Sequence, residues 1–202
     1  MGRQQILCHG DDRRFDAVAR QIAANFGPDV HYVADVAGGK GLLSRLLHKM
    51  CGLSCEVIDP RPEVLRGVNH RAIQFDPSLA DYYDLIVALH PDQALRAVVI
   101  SALYRPTVLV PCCNFWSAHR LGIREMFLEI EIWFHAQGVR TRRLTFEFGG
   151  PCNRGFITFP PEKPPVEFGG LTPVVPEKSS RRADWKPPQK LRPQTRCSPC
   201  TP

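Results

Sequence analysis

The chain has 202 residues, 44% hydrophobic and 23% charged, with 26 Lys and Arg against 20 Asp and Glu. This balance suits one globular core and excludes a fibrous or wholly unfolded chain. No run of 18 apolar residues occurs, so no membrane-spanning helix is expected, while a net charge of +6 allows a polyanionic partner such as RNA.

The stretch through Asp12 has no apolar core of the kind a secretory leader needs, and a cytoplasmic protein is expected. The eight cysteines, at 8, 51, 55, 112, 113, 152, 197 and 200, follow no disulfide-scaffold spacing and read as thiols. Residues 13–26 place Phe15, Val18, Ala19, Ile22, Ala23 and Phe26 at helical spacing, with Asp11 or Asp12 as the N-cap. Gly27 and Pro28 stop that helix. A strand over 31–36, a glycine-rich turn and a helix over 42–50 follow. Short strands are expected over 55–58 and 71–75, ending at Asp59-Pro60 and Asp76-Pro77. Residues 83–89 are nearly all apolar, as a buried parallel strand should be. A helix over 92–103, a strand over 107–110, a helix over 120–137 and strands over 139–148 and 154–159 complete the series.

Strands alternating with helices argue an α/β fold, a mostly parallel sheet with helices on both faces. The last two strands, separated by Gly149-Gly150-Pro151, add an antiparallel pair at one edge. Seven strands result, in one domain over 1–160. Beyond it the composition changes. Eleven of the 19 prolines lie in 160–202, and 177–202 hold seven Lys or Arg against two Asp or Glu. Such a stretch buries too little surface to offset its ordering entropy, so 161–202 read as a disordered basic tail. Its Cys197-x-x-Cys200 is half of a zinc site without a second half, and no metal is expected.

The turn after the first strand carries the most chemistry. Tyr32-Val33-Ala34-Asp35-Val36-Ala37-Gly38-Gly39-Lys40-Gly41 runs from an apolar strand through an acid into glycines and a helix. That order sets backbone N–H groups and a helix N-terminus beside a ligand. A dinucleotide fingerprint needs a third glycine where Ser44 stands. Asp35, Ala37, Gly39 and Gly41 instead follow D-x-G-x-G-x-G, with Ala37 for its first glycine. The segment resembles the first motif of class I S-adenosylmethionine-dependent methyltransferases. Seven strands with a closing antiparallel pair match that family's sheet, and the resemblance spans 13–160. It implies S-adenosylmethionine as cofactor, bound by Asp35, Ala37, Gly38, Gly39, Gly41 and Leu89. Asp59 stands 18 residues beyond Gly41, where the family binds the ribose. Asp76 stands where the family's acid meets the adenine. Each also suits a turn before proline.

Acceptor chemistry follows strands four and five. Leu89-His90-Pro91-Asp92-Gln93 lacks the (D/N)-P-P-(Y/F) clamp of N-methyltransferases. His90 and Asp92 offer a general base, and Asp92 equally a helix cap. Pro111-Cys112-Cys113-Asn114-Phe115-Trp116 follows strand five, with two aromatics that can stack a base. His90, Asp92, Gln93, Pro111, Cys112, Cys113 and Phe115 together resemble the tRNA uridine 2′-O-methyltransferases, which implies RNA, tRNA in particular, as acceptor. Three alternatives stay open. Cys112 or Cys113 suits the covalent nucleophile of an RNA C5 methyltransferase. The chain could bind cofactor or RNA without turnover, or be an NAD-linked oxidoreductase. Lys40 reads as a solvated loop residue. His9, Gly10 and the polar residues after them suit either a cover for the methionine end of the cofactor or a plain cap.

Overall fold

The computed structural model describes residues 11–150 and 152–163. His9, Gly10, the basic tail and the Cys197/Cys200 half-site lie outside the described residues. In chain order the elements are α1 (Arg13–Asn25), β1 (Tyr32–Val36), α2 (Leu42–Cys51), β2 (Ser54–Ile58) and β3 (Asn69–Arg71). A 3-10 helix (Pro77–Tyr82), β4 (Leu85–Leu89), a shorter 3-10 helix (Asp92–Ala94), α3 (Leu95–Ser101) and β5 (Thr107–Val110) follow. α4 (Ile123–Ala136), β6 (Arg140–Thr145) and β7 (Arg154–Phe159) close the series.

The strands form one seven-stranded sheet in the order β3-β2-β1-β4-β5-β7-β6. β1 to β5 pair in parallel, and β7 runs antiparallel to both β5 and β6. This is the mostly parallel sheet with an antiparallel end that the sequence implies. The chain winds outward from β1 to β3, then returns to β4 on the other side of β1. That reversal leaves a crevice beyond the carboxyl ends of β1 and β4.

Side chains alternate across a strand, and here the alternation divides two cores. Ala34, Val36, Ile86, Ala88, Leu109 and Phe156 face α3 and α4, where they meet Val98, Val99, Met126, Ile130 and Phe134. Val33, Leu85, Val87, Val108, Val110 and Ile157 face α1 and α2, where they meet Val18, Ile22, Leu43 and Leu47. Both faces of the sheet are therefore covered, which is why its central strands are mostly apolar, with Asp35 and Thr107 as buried polar exceptions. No described helix is long and apolar enough to cross a membrane.

Several bounds differ from expectation for physical reasons. The third strand is Asn69–Arg71, not 71–75, because register with β2 pairs Glu56 with Asn69 and Ile58 with Arg71. Arg71 binds Glu56 across that edge at 3.1 Å, while Ile73 is exposed. The helix expected over 92–103 breaks into a 3-10 turn and α3, since Asp92 has φ +45°. α4 begins only at Ile123, where the Glu125 carboxylate accepts the Gly122 N–H at 2.8 Å. β6 stops at Thr145; Phe146 and Phe148 are buried beyond it. Asp12 sits at the N-cap of α1, but it is Asp11 Oδ1 that accepts the Arg13 N–H, at 3.0 Å.

Candidate functional site

A cavity of about 610 Å³ occupies the crevice. Its lining gathers Asp35, Ala37, Gly38, Gly39, Leu89, His90 and Asp92 from the expected site, together with Lys40. Arg14, Phe15, Arg61, Pro62 and Glu63 line it as well. Gly41, Asp59, Asp76, Cys112 and Cys113 are not part of that lining.

The turn after β1 is shaped by close approaches. A Cβ on Gly38 would stand 2.5 Å from Asp35 Cγ, so only glycine lets the chain turn against that carboxyl. Gly41 has φ +78° and packs against Val68 and Val57, the former 2.7 Å from an added Cβ. Ala37 has φ +54°, the conformation that glycine adopts without strain. The three non-glycine residues with positive φ among the described residues are Ala37, His90 and Asp92, and all three line the cavity. Such strain costs about 1–3 kcal/mol per residue and gathers at ligand sites.

Asp35 is buried at the base of the turn, and its Oδ2 accepts the Ser44 hydroxyl at 2.8 Å and the Ser44 N–H at 3.2 Å. Ser44 thus ties α2 to β1, where a dinucleotide fold would use glycine. Burial pushes the Asp35 carboxyl up to about 6, against the pull of the Ser44 hydrogen bonds.

Asp59 is 1% exposed and fully engaged. Its Oδ2 accepts the Gly39 N–H at 2.9 Å and the Arg61 guanidinium at 2.6 Å; its Oδ1 accepts Arg61 Nε and the Arg61 N–H. Burial raises this carboxyl, but the Arg61 and Gly39 hydrogen bonds outweigh it and hold the group below the usual carboxylate range. The expected ribose acid therefore stands behind Arg61. Asp76 takes the turn role: its Oδ1 accepts the Ser78 N–H and hydroxyl at 2.9 and 2.6 Å and caps the 3-10 helix.

At the end of β4, His90 has φ +58° and its Nε2 donates to the Cys152 carbonyl at 3.1 Å. A carbonyl only accepts, so this bond fixes the proton on Nε2 and leaves Nδ1 as an acceptor. Burial holds the imidazole below its ordinary value of 6.5, despite that bond. Asp92 Oδ1 accepts the Cys112 thiol at 3.5 Å, and Cys113 Sγ lies 3.4 Å from Cys112 Sγ. Burial, then the neighbouring Cys113 and Asp92, push the Cys112 thiol well up.

Arg14 ends the polar run from His9 that suits a cover for the cofactor, and it lines the cavity; Arg61 carried no sequence signal as a site residue, because a long exposed cation has no periodicity. The two-residue step from Asp59 to Arg61 is the one hint the chain contained.

No protein-family model matches the chain, and no curated protein matches it. Several solved structures resemble it. The mitomycin 7-O-methyltransferase MmcR is 17% identical over 71% of this chain and 52% of its own, with a TM-score of 0.42. This chain thus spans about half of MmcR. A Clostridium thermocellum protein assigned as an rRNA-methylase is 11% identical over 76% of this chain and 96% of its own, with a TM-score of 0.47. A variant of MtNAS in complex with S-adenosylmethionine is 14% identical over 74% of this chain and 62% of its own, with a TM-score of 0.46. The sheet order stands on its own strand pairings.

Proposed function

We propose that the chain is an S-adenosylmethionine-dependent methyltransferase acting on RNA, with a tRNA 2′-hydroxyl as acceptor. The observation that carries this reading is the cradle after β1. Its Gly38 and Gly41 leave no room for a side chain, its Gly39 and Ala37 are held at positive φ, and it lines a cavity within the ~300–1,000 Å³ typical of small-molecule sites. When bound there, the cofactor supplies a methyl already activated by its sulfonium.

Residues 35–41 would hold it, with Asp59 on the ribose once Arg61 swings off that carboxylate. Arg14 and Lys40 give the cavity cations that suit the carboxylate of an amino acid. His90 Nδ1 would take the proton from an acceptor hydroxyl, and alignment of that hydroxyl supplies much of the rate. RNA as acceptor is supported by the net charge of +6, by the exposed ring of Phe115 and by the Arg96 guanidinium 5.5 Å from the Trp116 ring centre. A thiolate nucleophile for C5 transfer is disfavoured at Cys112, whose thiol burial keeps protonated.

The test is transfer of labelled methyl from S-adenosylmethionine to unmodified tRNA. Methylation at a 2′-hydroxyl protects the neighbouring linkage from alkali, so labelled alkali-resistant dinucleotides are expected. Label in protein or small molecules but not RNA would refute the acceptor. Cofactor binding with no transfer to any pool would favour a binding module.

A further inference from the structure

Asp92, Cys112 and Cys113 meet where two neighbouring strands end. β4 and β5 pair with Leu89 opposite Val110, so the loops leaving their carboxyl ends lie side by side. The left-handed backbone at Asp92, φ +45°, begins the turn there. Asp92 Oδ1 then lies 3.5 Å from Cys112 Sγ, and Cys112 Sγ lies 3.4 Å from Cys113 Sγ. The three ligand atoms all fall within 4.8 Å of one another. Cys113 and Asp92 are exposed and Cys112 is half-buried, so an ion can reach them.

Those separations are close to the edges of a metal tetrahedron. Zinc bonds of ~2.3 Å to sulfur and ~2.1 Å to oxygen set two sulfurs about 3.8 Å apart, and sulfur and oxygen about 3.6 Å apart. Closing on an ion therefore asks for a few tenths of an ångström at the two edges of 3.5 and 3.4 Å that meet at Cys112, and for a turn of the exposed Asp92 or Cys113 side chain to bring the third edge, within 4.8 Å, to the same length. Two soft sulfurs with one carboxylate suit zinc, whereas magnesium and calcium require oxygen throughout.

We propose that Asp92, Cys112 and Cys113 bind one zinc ion, its fourth position left to water or to an atom of a ligand in the cavity that Asp92 also lines. Binding breaks both S–H bonds and passes both protons to solvent. Two Zn–S bonds and one Zn–O bond form, with no change of oxidation state. Two thiolates and a carboxylate exceed the ion's charge by one, and the Arg61 guanidinium, which interacts with Asp92, offsets part of the surplus. The site stands without the methyltransferase reading and leaves His90 as the base. It is invisible to spacing rules, because 20 residues separate Asp92 from Cys112 and no C-x-x-C is involved.

The experiment is zinc titration of the full-length protein, reduced and stripped of metal, against a chromophoric chelator. Cobalt(II) serves as a second probe, since thiolate ligands give it charge-transfer absorption. One zinc per chain is expected, retained in the Cys197→Ser/Cys200→Ser variant. In Cys113→Ser and in Asp92→Asn it should bind at least about tenfold more weakly, with weakened or shifted cobalt absorption. Circular dichroism checks that each variant is folded; Cys113 and Asp92 are both exposed, so two independent variants carry the test. Wild-type protein that takes up no zinc would overturn the proposal. So would zinc lost with the tail cysteines, or kept at unchanged affinity in both site variants.

Discussion

Arg61 closes over Asp59, its Nη2 2.6 Å from Oδ2, while its side chain is 67% exposed. The pair both orders the loop after β2 and covers the acid proposed to hold the ribose. The guanidinium faces solvent while the carboxylate is buried, so the pair is partly screened and worth on the order of 1 kcal/mol, and a ligand that brings its own donors to Asp59 can displace it. Arg61→Ala should therefore tighten S-adenosylmethionine binding by up to roughly fivefold. Asp59→Ala should weaken it by ~1–3 kcal/mol, as loss of a charge-assisted hydrogen bond does. Calorimetry reads both. Weaker binding in Arg61→Ala would mean that Arg61 holds the cofactor instead of guarding its site.

The turn after β1 separates two opposite glycine effects. Gly41→Ala forces a Cβ to within 2.7 Å of Val68 at φ +78° and should cost about 1–3 kcal/mol of stability, with loss of cofactor binding. Ala37→Gly relieves a left-handed alanine, worth ~1–2 kcal/mol, but gives back ~0.4–1 kcal/mol in unfolded-chain entropy. A neutral to slightly stabilising change is expected. Urea denaturation measures both, and a destabilised Ala37→Gly protein would show that Ala37 is not strained.

Asp35 makes stability depend on pH in a defined window. Its carboxyl titrates at 3.8 when unfolded and at about 6 when folded. Between those values the folded state holds the extra proton, so stability from this group is greatest below pH 3.8 and is lost as pH rises through about 6. Asparagine cannot ionise. The stability of the wild-type protein relative to Asp35→Asn should therefore fall from pH 4 to pH 6 and then level off. Denaturation at several pH values tests it, and a constant difference would contradict the buried carboxyl.

His90 is fixed at one ring nitrogen and open at the other. His90→Gln should lower kcat by ~10²–10⁴ if Nδ1 takes the acceptor proton. The affinity for S-adenosylmethionine should stay within a few-fold, because the glycine turn is untouched. A loss of cofactor affinity with kcat preserved would assign His90 to the cavity wall alone.

Where local pattern and long-range packing agree, the sequence was readable. β5 and β7 have the expected bounds, and the β1–turn–α2 unit follows from an apolar run, clustered glycines and helical periodicity. β3 was unreadable for the opposite reason. It is a three-residue edge strand of polar residues, placed by register with β2 and by the Glu56–Arg71 pair rather than by any apolar pattern. The site divides in the same way. Residues on the turn after β1 and at the end of β4 are fixed by the chain around them, and the cavity gathers Asp35, Ala37, Gly38, Gly39, Leu89, His90 and Asp92 but not Gly41. Arg14 and Arg61 enter from α1 and from the loop after β2, so only the packed fold brings them in. Asp59 accepts the N–H of Gly39 in the turn, yet its carboxylate is otherwise taken by its own neighbour Arg61.

The central claim is that the glycine turn holds S-adenosylmethionine, and calorimetric titration of the full-length protein tests it most directly, with NAD in parallel. One S-adenosylmethionine should bind per chain, with binding lost in Gly41→Ala, and NAD should give no heat. Binding of NAD alone, or of neither compound by the folded protein, would contradict it.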